Sequence, residues 1–384
     1  MSAPTPLLLV GIHGHGRHHL RALHRLTGTG RVRLAGVCDP TPPAPGDDLE
    51  GHGLLPHFAG LEEALEATGA RVTVIATPIH THLPLARTAL DHGSHILLEK
   101  PTTATLAEFD QLNAAAEAAG PSCQIGFQSL GSHALAAVRA LVDSGTVGRV
   151  LGIGGAGTWK RTSHYYDRAP WAGQRRLNGH DVVDGALTNP FAHAVATALD
   201  LSRAAEEPVH DVELELFHAH PIQSDDTSCL RVRTPDGTPV TVAVTLCAPE
   251  TTPPRLTVHG EHGRIDLDYT LDRVTVHRDG RPPRTTEHGR TPLLDNLLDH
   301  IEHGTPLLVP PTRTRAFMHV LEAVRTAPDP VAVPATRQRV RETPEGTHRV
   351  ITGITDLVHR SARHLALFSE LDPAWSPTAL ESHP

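Results

Sequence analysis

The sequence predicts an α/β doubly wound parallel sheet followed by an α+β domain with a large, mainly antiparallel sheet covered by helices on one face. Three observations carry this reading. Residues 6–127 alternate short apolar runs with helical stretches, the pattern of strands joined by right-handed crossovers. From about residue 146 the texture changes to longer alternating strands joined by Asp-Gly and other glycine turns, which reads as antiparallel pairing. A turn with three glycines, "VGIHGHGRHH", directly follows the first apolar run, where a doubly wound sheet places a phosphate-binding loop. The expected domains are 1–127, 128–330 and a Pro-rich joint with a helical extension at 331–384.

In order, "LLLVGI" is the first strand, "GRHHLRALHRL" the first helix and "RVRLAGVCDP" a second strand ending at Asp39. The helix "LEEALEATG", the strand "RVTVIATP", the helix "LPLARTALDHG" and the strand "SHILLEKP" follow. Thr105 and Glu108 form a capping-box pattern ahead of "LAEFDQLNAAAEAAG", and "SCQIGF" is a further strand. In the second domain "VLGIGGAG", "DVELELFHA", "CLRVRTPDGTPVTVAVTL", "RLTVHGEHGRIDLDY" and "DRVTVHRDG" supply strands. The helices "SHALAAVRALVDSG" and "PLLDNLLDHIEHG", with leucines at helical spacing, are expected to cover one face of that sheet. "HRVITGITDLVHRSARHLALFSEL" is expected to be helical.

Composition narrows the function classes. The 384 residues carry a formal net charge of -9, which argues against nucleic acid as a partner. The four cysteines are scattered and form no zinc pattern, so no metal is expected and a reducing, cytoplasmic setting fits. No apolar run approaches the roughly 20 residues of a membrane helix. Among 34 basic residues only Lys100 and Lys160 are lysine. Lysine can be tuned to exchange a proton near neutral pH and arginine cannot.

In the glycine turn, Gly11, Gly14 and Gly16 precede a helix whose positive end suits a pyrophosphate. His19 stands at the third position of G-x-G-x-x-G, so the fingerprint is incomplete. Asp39, 23 residues after Gly16, is placed to take ribose hydroxyls, which favours NAD over NADP. His15 and His19 could share a helix face and bind a metal, but 29 histidines are spread through the chain, and no H-E-x-x-H or cysteine partner supports a site.

The glycine turn, "CDP" at the second strand end, "ATPxxxH" at 76–82, "EKP" at 99–101, "SGTVGRV", "HYYDRAPWAG" and "GALTNPFAH" together resemble the Gfo/Idh/MocA family of NAD(P)-dependent oxidoreductases over about the first 330 residues. The resemblance implies a Rossmann domain and hydride transfer between nicotinamide C4 and a carbinol carbon of a sugar-like or cyclitol substrate. It implies cofactor contacts at Gly11, Gly14, His15, Gly16, Arg17, His18, Asp39, Thr77, Pro78, His80, His82, Glu99, Lys100 and Gln128. Lys100 matches the lysine thought to contact cofactor and substrate. Alcohol oxidation needs a proton acceptor as hydride leaves, and a lysine beside a cationic nicotinamide has its ammonium form disfavoured. Pro101 restricts Lys100 and can follow a cis bond.

The second family signature aligns with Gly185, Leu187, Asn189, Phe191 and His193. Its histidine is kept as His193, a candidate base or substrate ligand. Its aspartate is Asn189, which can orient a hydroxyl but not accept a proton. Its last glycine is Phe191, expected to reshape the pocket. "TWKRTSHYYDRAPWAG" supplies Trp159, Lys160, Tyr165, Tyr166, Arg168 and Trp171 as candidate sugar contacts, since sugar faces stack on aromatic rings; a hydrophobic clamp is the competing role for Trp159. Two alternatives stay open: transient redox with retained NAD (elimination, epimerisation or glycoside cleavage), and a cofactor-binding sensor without catalysis. An uncovered sheet face would expose apolar surface, so a homodimer or homotetramer through that face is expected. "FSELDPAW" is expected to pack on the core or on a neighbour.

Overall fold

The computed structural model describes residues 3–209 and 211–375. They fall into two compact units, one comprising 1–126 and 293–312, the other 127–292 and 313–384; positions 376–384 of the expected extension lie outside the described residues. No helix among the described residues is long and apolar enough to cross a membrane.

In the first unit, β1 (Thr5–Val10), β2 (Val32–Cys38), β3 (His57–Phe58), β4 (Val72–Ile75), β5 (His95–Leu98) and β6 (Cys123–Ile125) form a sheet ordered β3-β2-β1-β4-β5-β6. Every pairing in it is parallel, the doubly wound arrangement whose order reverses beside β1. Helices α1 (Gly16–Gly28), α2 (Leu61–Thr68), α3 (His82–Asp91) and α4 (Leu106–Ala118) make the crossovers. Leu20, Leu23 and Leu26 of α1 recur at helical spacing and are buried. At α4 the Thr105 hydroxyl accepts from the Glu108 amide at 3.1 Å, and the Glu108 carboxylate accepts from the Ala104 amide at 3.0 Å, so the cap closes one residue earlier than the reciprocal box expected.

The helix Leu293–His303, expected on the second sheet, instead belongs to the first unit. Its leucine stripe specifies burial but not the partner; polar pairing supplies that. Gln124 of β6, fully buried, donates to Asn296 Oδ1 and to the Leu293 carbonyl, each at 2.8 Å, and accepts from the Val309 amide at 2.8 Å. Arg25 reaches Asp295 at 2.8 Å, and Arg31 reaches Asp299 at 2.5 Å and Glu302 at 3.0 Å.

The second unit contains α5 (His133–Asp143), β7 (Val150–Thr158), α6 (Ser163–Tyr166), the small hairpin β8 (Arg176–Leu177) and β9 (His180–Asp181), and α7 (Ala192–Leu201). Strands β10 (Val212–His218), β11 (Thr227–Arg233), β12 (Pro239–Thr245), β13 (Arg255–Gly260), β14 (Gly263–Asp268), β15 (Arg273–Arg278) and β16 (Arg281–Glu287) follow. Beyond α8, the helix Leu293–His303 already described, come α9 (Arg315–Thr326), β17 (Val331–Ala332), β18 (Gln338–Thr343), β19 (Gly346–Ile351), α10 (Ile354–His364) and α11 (Phe368–Leu371). The nine-stranded sheet runs β16-β15-β14-β13-β7-β12-β11-β10-β17. It is antiparallel except where β7 meets β12 and β10 meets β17. The sequence reading passed over β16, "RPPRTTE", whose two prolines are tolerated because the strand lies at the sheet edge. It also gave 348–351 to a helix, whereas these residues pair in β19 against β18.

Helices α5, α7 and α9 pack on one face of the sheet. On the opposite face, expected to be open, α10 covers β7 and β12. Strand β7 makes this possible by carrying glycines at alternate positions. A Cβ at Gly154 would stand 1.9 Å from the Ala362 carbonyl oxygen, and one at Gly152 would stand 2.2 Å from Leu365. Ile354, Leu357, Val358 and Ala362 of α10 then bury against Ala156, Ala243 and Cys229, with Phe217, Phe368 and Trp375 extending the same core. "FSELDPAW" thus packs on its own chain. Gly154→Ala is expected to cost about 1–3 kcal/mol by overpacking this contact, read as a lower urea midpoint. Gly28→Ala, with nothing within 4 Å of the added carbon, is the control, and equal midpoints for the two variants would show that α10 is not seated on β7.

Candidate functional site

In the first unit the expected cofactor residues converge on the carboxyl ends of β1, β2, β4 and β5. Gly11 has φ +85°, and a Cβ there would stand 2.4 Å from the Ala76 carbonyl oxygen; a Cβ at Gly16 would stand 2.0 Å from the Gly11 carbonyl oxygen. Only bare backbone fits this turn. Among the described residues nothing accepts from the amides of His13, Gly14 and His15, which are exposed at the head of α1. Three open amides at a helix start with no acidic residue in its first turn fit a pyrophosphate. Asp39 stands over the turn, accepting from the Ile12 amide at 3.0 Å and the Thr41 amide at 2.9 Å.

The remaining residues of this group divide into exposed positions and braces. His18 is exposed and stacks near His15, with ring centroids 5.1 Å apart. Burial, then His15 and Arg21, push its pKa down. Arg17 is forked onto Asp47, with Glu50 at 3.9 Å; it serves an ion pair in this structure rather than standing open to a phosphate. Thr77 and Thr81 share a hydrogen bond at 2.7 Å, and Thr81 donates to the Pro78 carbonyl at 2.7 Å, so Pro78 and His80 lie on a hydroxyl-braced turn. His82 is buried, with Nε2 3.0 Å from the Thr77 carbonyl and Nδ1 2.9 Å from that of Pro101. It staples the loop after β4 to the segment after β5, and burial pushes its pKa down despite those carbonyls.

Lys100 ends this assembly. The Lys100–Pro101 bond is cis. The Lys100 amide donates to Glu99 Oε2 at 3.1 Å, while Glu99 Oε1 meets His19 Nε2 at 2.8 Å and His15 Nε2 at 3.4 Å. Burial alone would raise the Glu99 pKa, but the two histidines outweigh it and hold the carboxyl well below its ordinary range. His19, which occupies the expected third glycine position, is therefore the partner of a buried carboxylate.

In the second unit the structure gathers Tyr165, Arg168, Trp171 and Asn189 around a residue that the sequence reading missed, Asp184. This buried carboxylate accepts from Arg168 Nη2 at 2.9 Å, the Gly173 amide at 2.7 Å and Asn189 Nδ2 at 2.5 Å. The Arg168 guanidinium lies 3.8 Å from the Tyr165 ring centroid and 4.7 Å from that of Trp171. Burial, then Asp184, push the Tyr165 phenol up to about 12. Asn189 lacks a carboxylate, but one lies against its amide; a linear motif cannot show that. The only sequence signal was an acid immediately before Gly185.

His193 Nδ1 meets Ser129 Oγ at 3.2 Å, and Thr197 donates to that same oxygen at 2.8 Å. Gln128 opens the short turn that carries Ser129. Trp159 packs on Phe191 with centroids 4.3 Å apart. Phe191 does not reshape a pocket: it is fully buried, 2.3 Å from where a Cβ at Gly157 would stand, and fills the core behind β7. Lys160 stands apart from the Asp184 group, its Nζ 4.0 Å from Glu345, and Tyr166 is directed to a different cluster.

Residues 7–127 match the family described as "Oxidoreductase family, NAD-binding Rossmann fold", and residues 135–266 match the "GFO/IDH/MocA C-terminal domain". The chain is 32% identical over 197 residues to an inositol 2-dehydrogenase from Leifsonia xyli, covering 49% of this chain and 56% of that one. It spans 23–36% of the length of three further curated relatives. Among solved structures it is similar to the WlbA dehydrogenase from Bordetella pertussis in complex with NADH and UDP-GlcNAcA, with TM-score 0.68 and 22% identity over 84% of this chain and 95% of that one. It is also similar to a levoglucosan dehydrogenase in complex with NADH and levoglucosan, with TM-score 0.71 and 19% identity over 84% and 96% of the two chains. The glycine cradle, the Glu99–Lys100–Pro101 strand end and both matched domains agree: this chain belongs to the GFO/IDH/MocA family of oxidoreductases.

Proposed function

We propose that the protein is an NAD-dependent dehydrogenase or reductase acting on a ring hydroxyl of a sugar-like or cyclitol substrate. The observation that carries this reading is the position of Lys100. In a chain with two lysines, one stands at the carboxyl end of β5, beside β4 at the strand-order reversal, where doubly wound sheets bind their ligands. Relatives named for inositol and levoglucosan, and one solved with UDP-GlcNAcA, support the substrate class. Asp39 supports NAD, because its charge would repel a 2′-phosphate.

When bound, the nicotinamide accepts or returns the hydride. The protein's own share is proton handling and orientation. Lys100 takes the hydroxyl proton in oxidation and returns it in reduction. Glu99 fixes the backbone of that lysine. His193 assists as a hydrogen-bonding partner of a substrate oxygen. Asp184, by holding Asn189 through its nitrogen, makes the Asn189 oxygen an acceptor for a neighbouring hydroxyl. It also locks Arg168 against Tyr165 and Trp171, a flat apolar platform with a cationic edge that suits a sugar face. Trp159 supports the same loop by packing on Phe191.

With free sugars, cyclitols and nucleotide sugars offered together with NAD, absorbance at 340 nm is expected to rise for one substrate class. Lys100→Ala should lower kcat/KM by about 10²–10⁴-fold, and Asp184→Asn should lower it by about tenfold or more while NAD binding persists. A Lys100→Ala variant as active as the parent would sink this assignment. Tightly held NAD with no net reduction on any substrate would favour transient redox.

The Glu99 brace also predicts a pH dependence. Its folded carboxyl is depressed relative to the unfolded chain, so its contribution to stability is complete above the ordinary value of 4.5 and fades as pH falls through the folded value. His19→Ala removes a buried partner and should cost about 1–3 kcal/mol at pH 7, with the difference from the parent narrowing in acid. Coincident urea midpoints of variant and parent across pH 3–7 would show that the pair contributes nothing, and a constant offset would show that its contribution is not ionic.

A further inference from the structure

The second unit contains a polar cluster that the proposed redox chemistry leaves unused. His220 lies just past β10, Asp226 just before β11 and Cys247 just past β12. One donor atom from each lies within 4.8 Å of the other two. All three residues are sealed, at 1%, 0% and 0% exposure. Two polar atoms here lack partners among the described residues, His220 Nε2 and the Tyr166 hydroxyl. The Tyr166 ring packs on that of His220 with centroids 4.9 Å apart.

His220 Nε2 has no partner among the described residues, so this nitrogen can offer a lone pair. Asp226 Oδ2 accepts from the Ala219 and His220 amides, each at 2.8 Å. Asp226 Oδ1 accepts from the Thr227 hydroxyl at 3.1 Å, one donor against the two amides on Oδ2. The Cys247 sulfur lies within 4.8 Å of a donor oxygen of the same carboxylate. A carboxylate held by backbone amides is the kind of outer contact that orients a ligand around a metal.

We propose that this cluster is a structural zinc site, with Cys247 Sγ, His220 Nε2 and Asp226 Oδ1 as ligands and Tyr166 closing the fourth position. One sulfur, one nitrogen and one oxygen suit Zn²⁺ better than a hard cation. Binding breaks the Cys247 S–H bond, forms the S–Zn bond and releases the proton to solvent. A thiolate, a carboxylate and a neutral imidazole around Zn²⁺ sum to zero charge, which a buried site requires. The metal would join the ends of three adjacent strands beneath the loop that carries Tyr165, Arg168 and Trp171.

A buried water could also satisfy His220 and Tyr166, so the readout must report sulfur. The untagged full chain, grown with zinc and dialysed against EDTA, is expected to retain about one zinc per chain by elemental analysis. Refolded with Co²⁺, it should show a thiolate-to-cobalt charge-transfer band in the near ultraviolet. Cys247→Ser should abolish the band and Cys229→Ser should keep it. Histidine tracts elsewhere in the chain cannot produce this band. Zinc lost on dialysis together with no charge-transfer band in the parent would overturn the proposal and assign the cluster to water; this parent measurement decides even if Cys247→Ser fails to fold.

Discussion

The close seating of helix on strand at β7 is the constraint on which the second unit is built. A strand at the centre of a nine-stranded sheet ordinarily presents branched side chains to both faces. Here Gly152 and Gly154 bring α10 to within backbone contact on one face, and Gly157 admits the Phe191 ring on the other. Phe191 in turn precedes α7, which carries His193, and supports Trp159 at the start of the aromatic loop. Removing side chains from one strand thus sets where the histidine-bearing helix begins and where the C-terminal helix lies. The cost is local strand propensity, offset by the apolar area that both helices bury.

Buried carboxylates do the corresponding work among polar groups. Glu99, Asp184, Asp200, Asp225 and Asp226 are all below a tenth exposed, and each has assigned donors. Asp200 takes Arg139 and, at 2.7 Å, Arg313. Asp225 accepts from the Ala186 amide at 3.0 Å and from Ser228 at 2.5 Å; burial still raises its pKa. An acid removed from water must be paired or hydrogen-bonded, and each of these acids therefore fixes the groups around it. The near absence of lysine acquires a physical sense here. Arginine can fork across two acceptors at once, as Arg231 does between Glu213 and Glu370.

The first unit was legible because each signal there is local. A period change from strand to helix, a glycine turn and an acid at the second strand end all lie within 40 residues. What escaped the sequence depends on partners distant in the chain. The stripe of α8 specifies burial, but only Gln124 meeting Asn296 says where. Arg17 follows the phosphate turn and looks like a cofactor ligand until Asp47, 30 residues on, takes it. Asn189 reads as a lost carboxylate because the signature is scored position by position. In space Asp184 lies against it, five residues earlier and around a turn. His19 likewise departs from the glycine fingerprint for a reason visible only once Glu99, 80 residues away, is seen to need a donor.

The C-terminal segment changes the argument about assembly. Expecting self-association through the sheet rested on one premise, that a face lined by residues such as Ala156, Phe217, Cys229 and Ala243 would otherwise meet water. Those residues are buried within the chain, beneath Ile354, Leu357 and Val358 of α10 and beside Phe368 and Trp375. The large apolar side chains still exposed among the described residues, Leu54, Leu151, Leu271 and Val340, are dispersed along the sequence, and single exposed apolar residues require no partner. The hydrophobic demand that a second copy would have met is answered by residues 354–375 of the same chain. Over β7 and its neighbours the sheet is thereby a rigid support for the Asp184 group and for the strand ends that hold His220, Asp226 and Cys247.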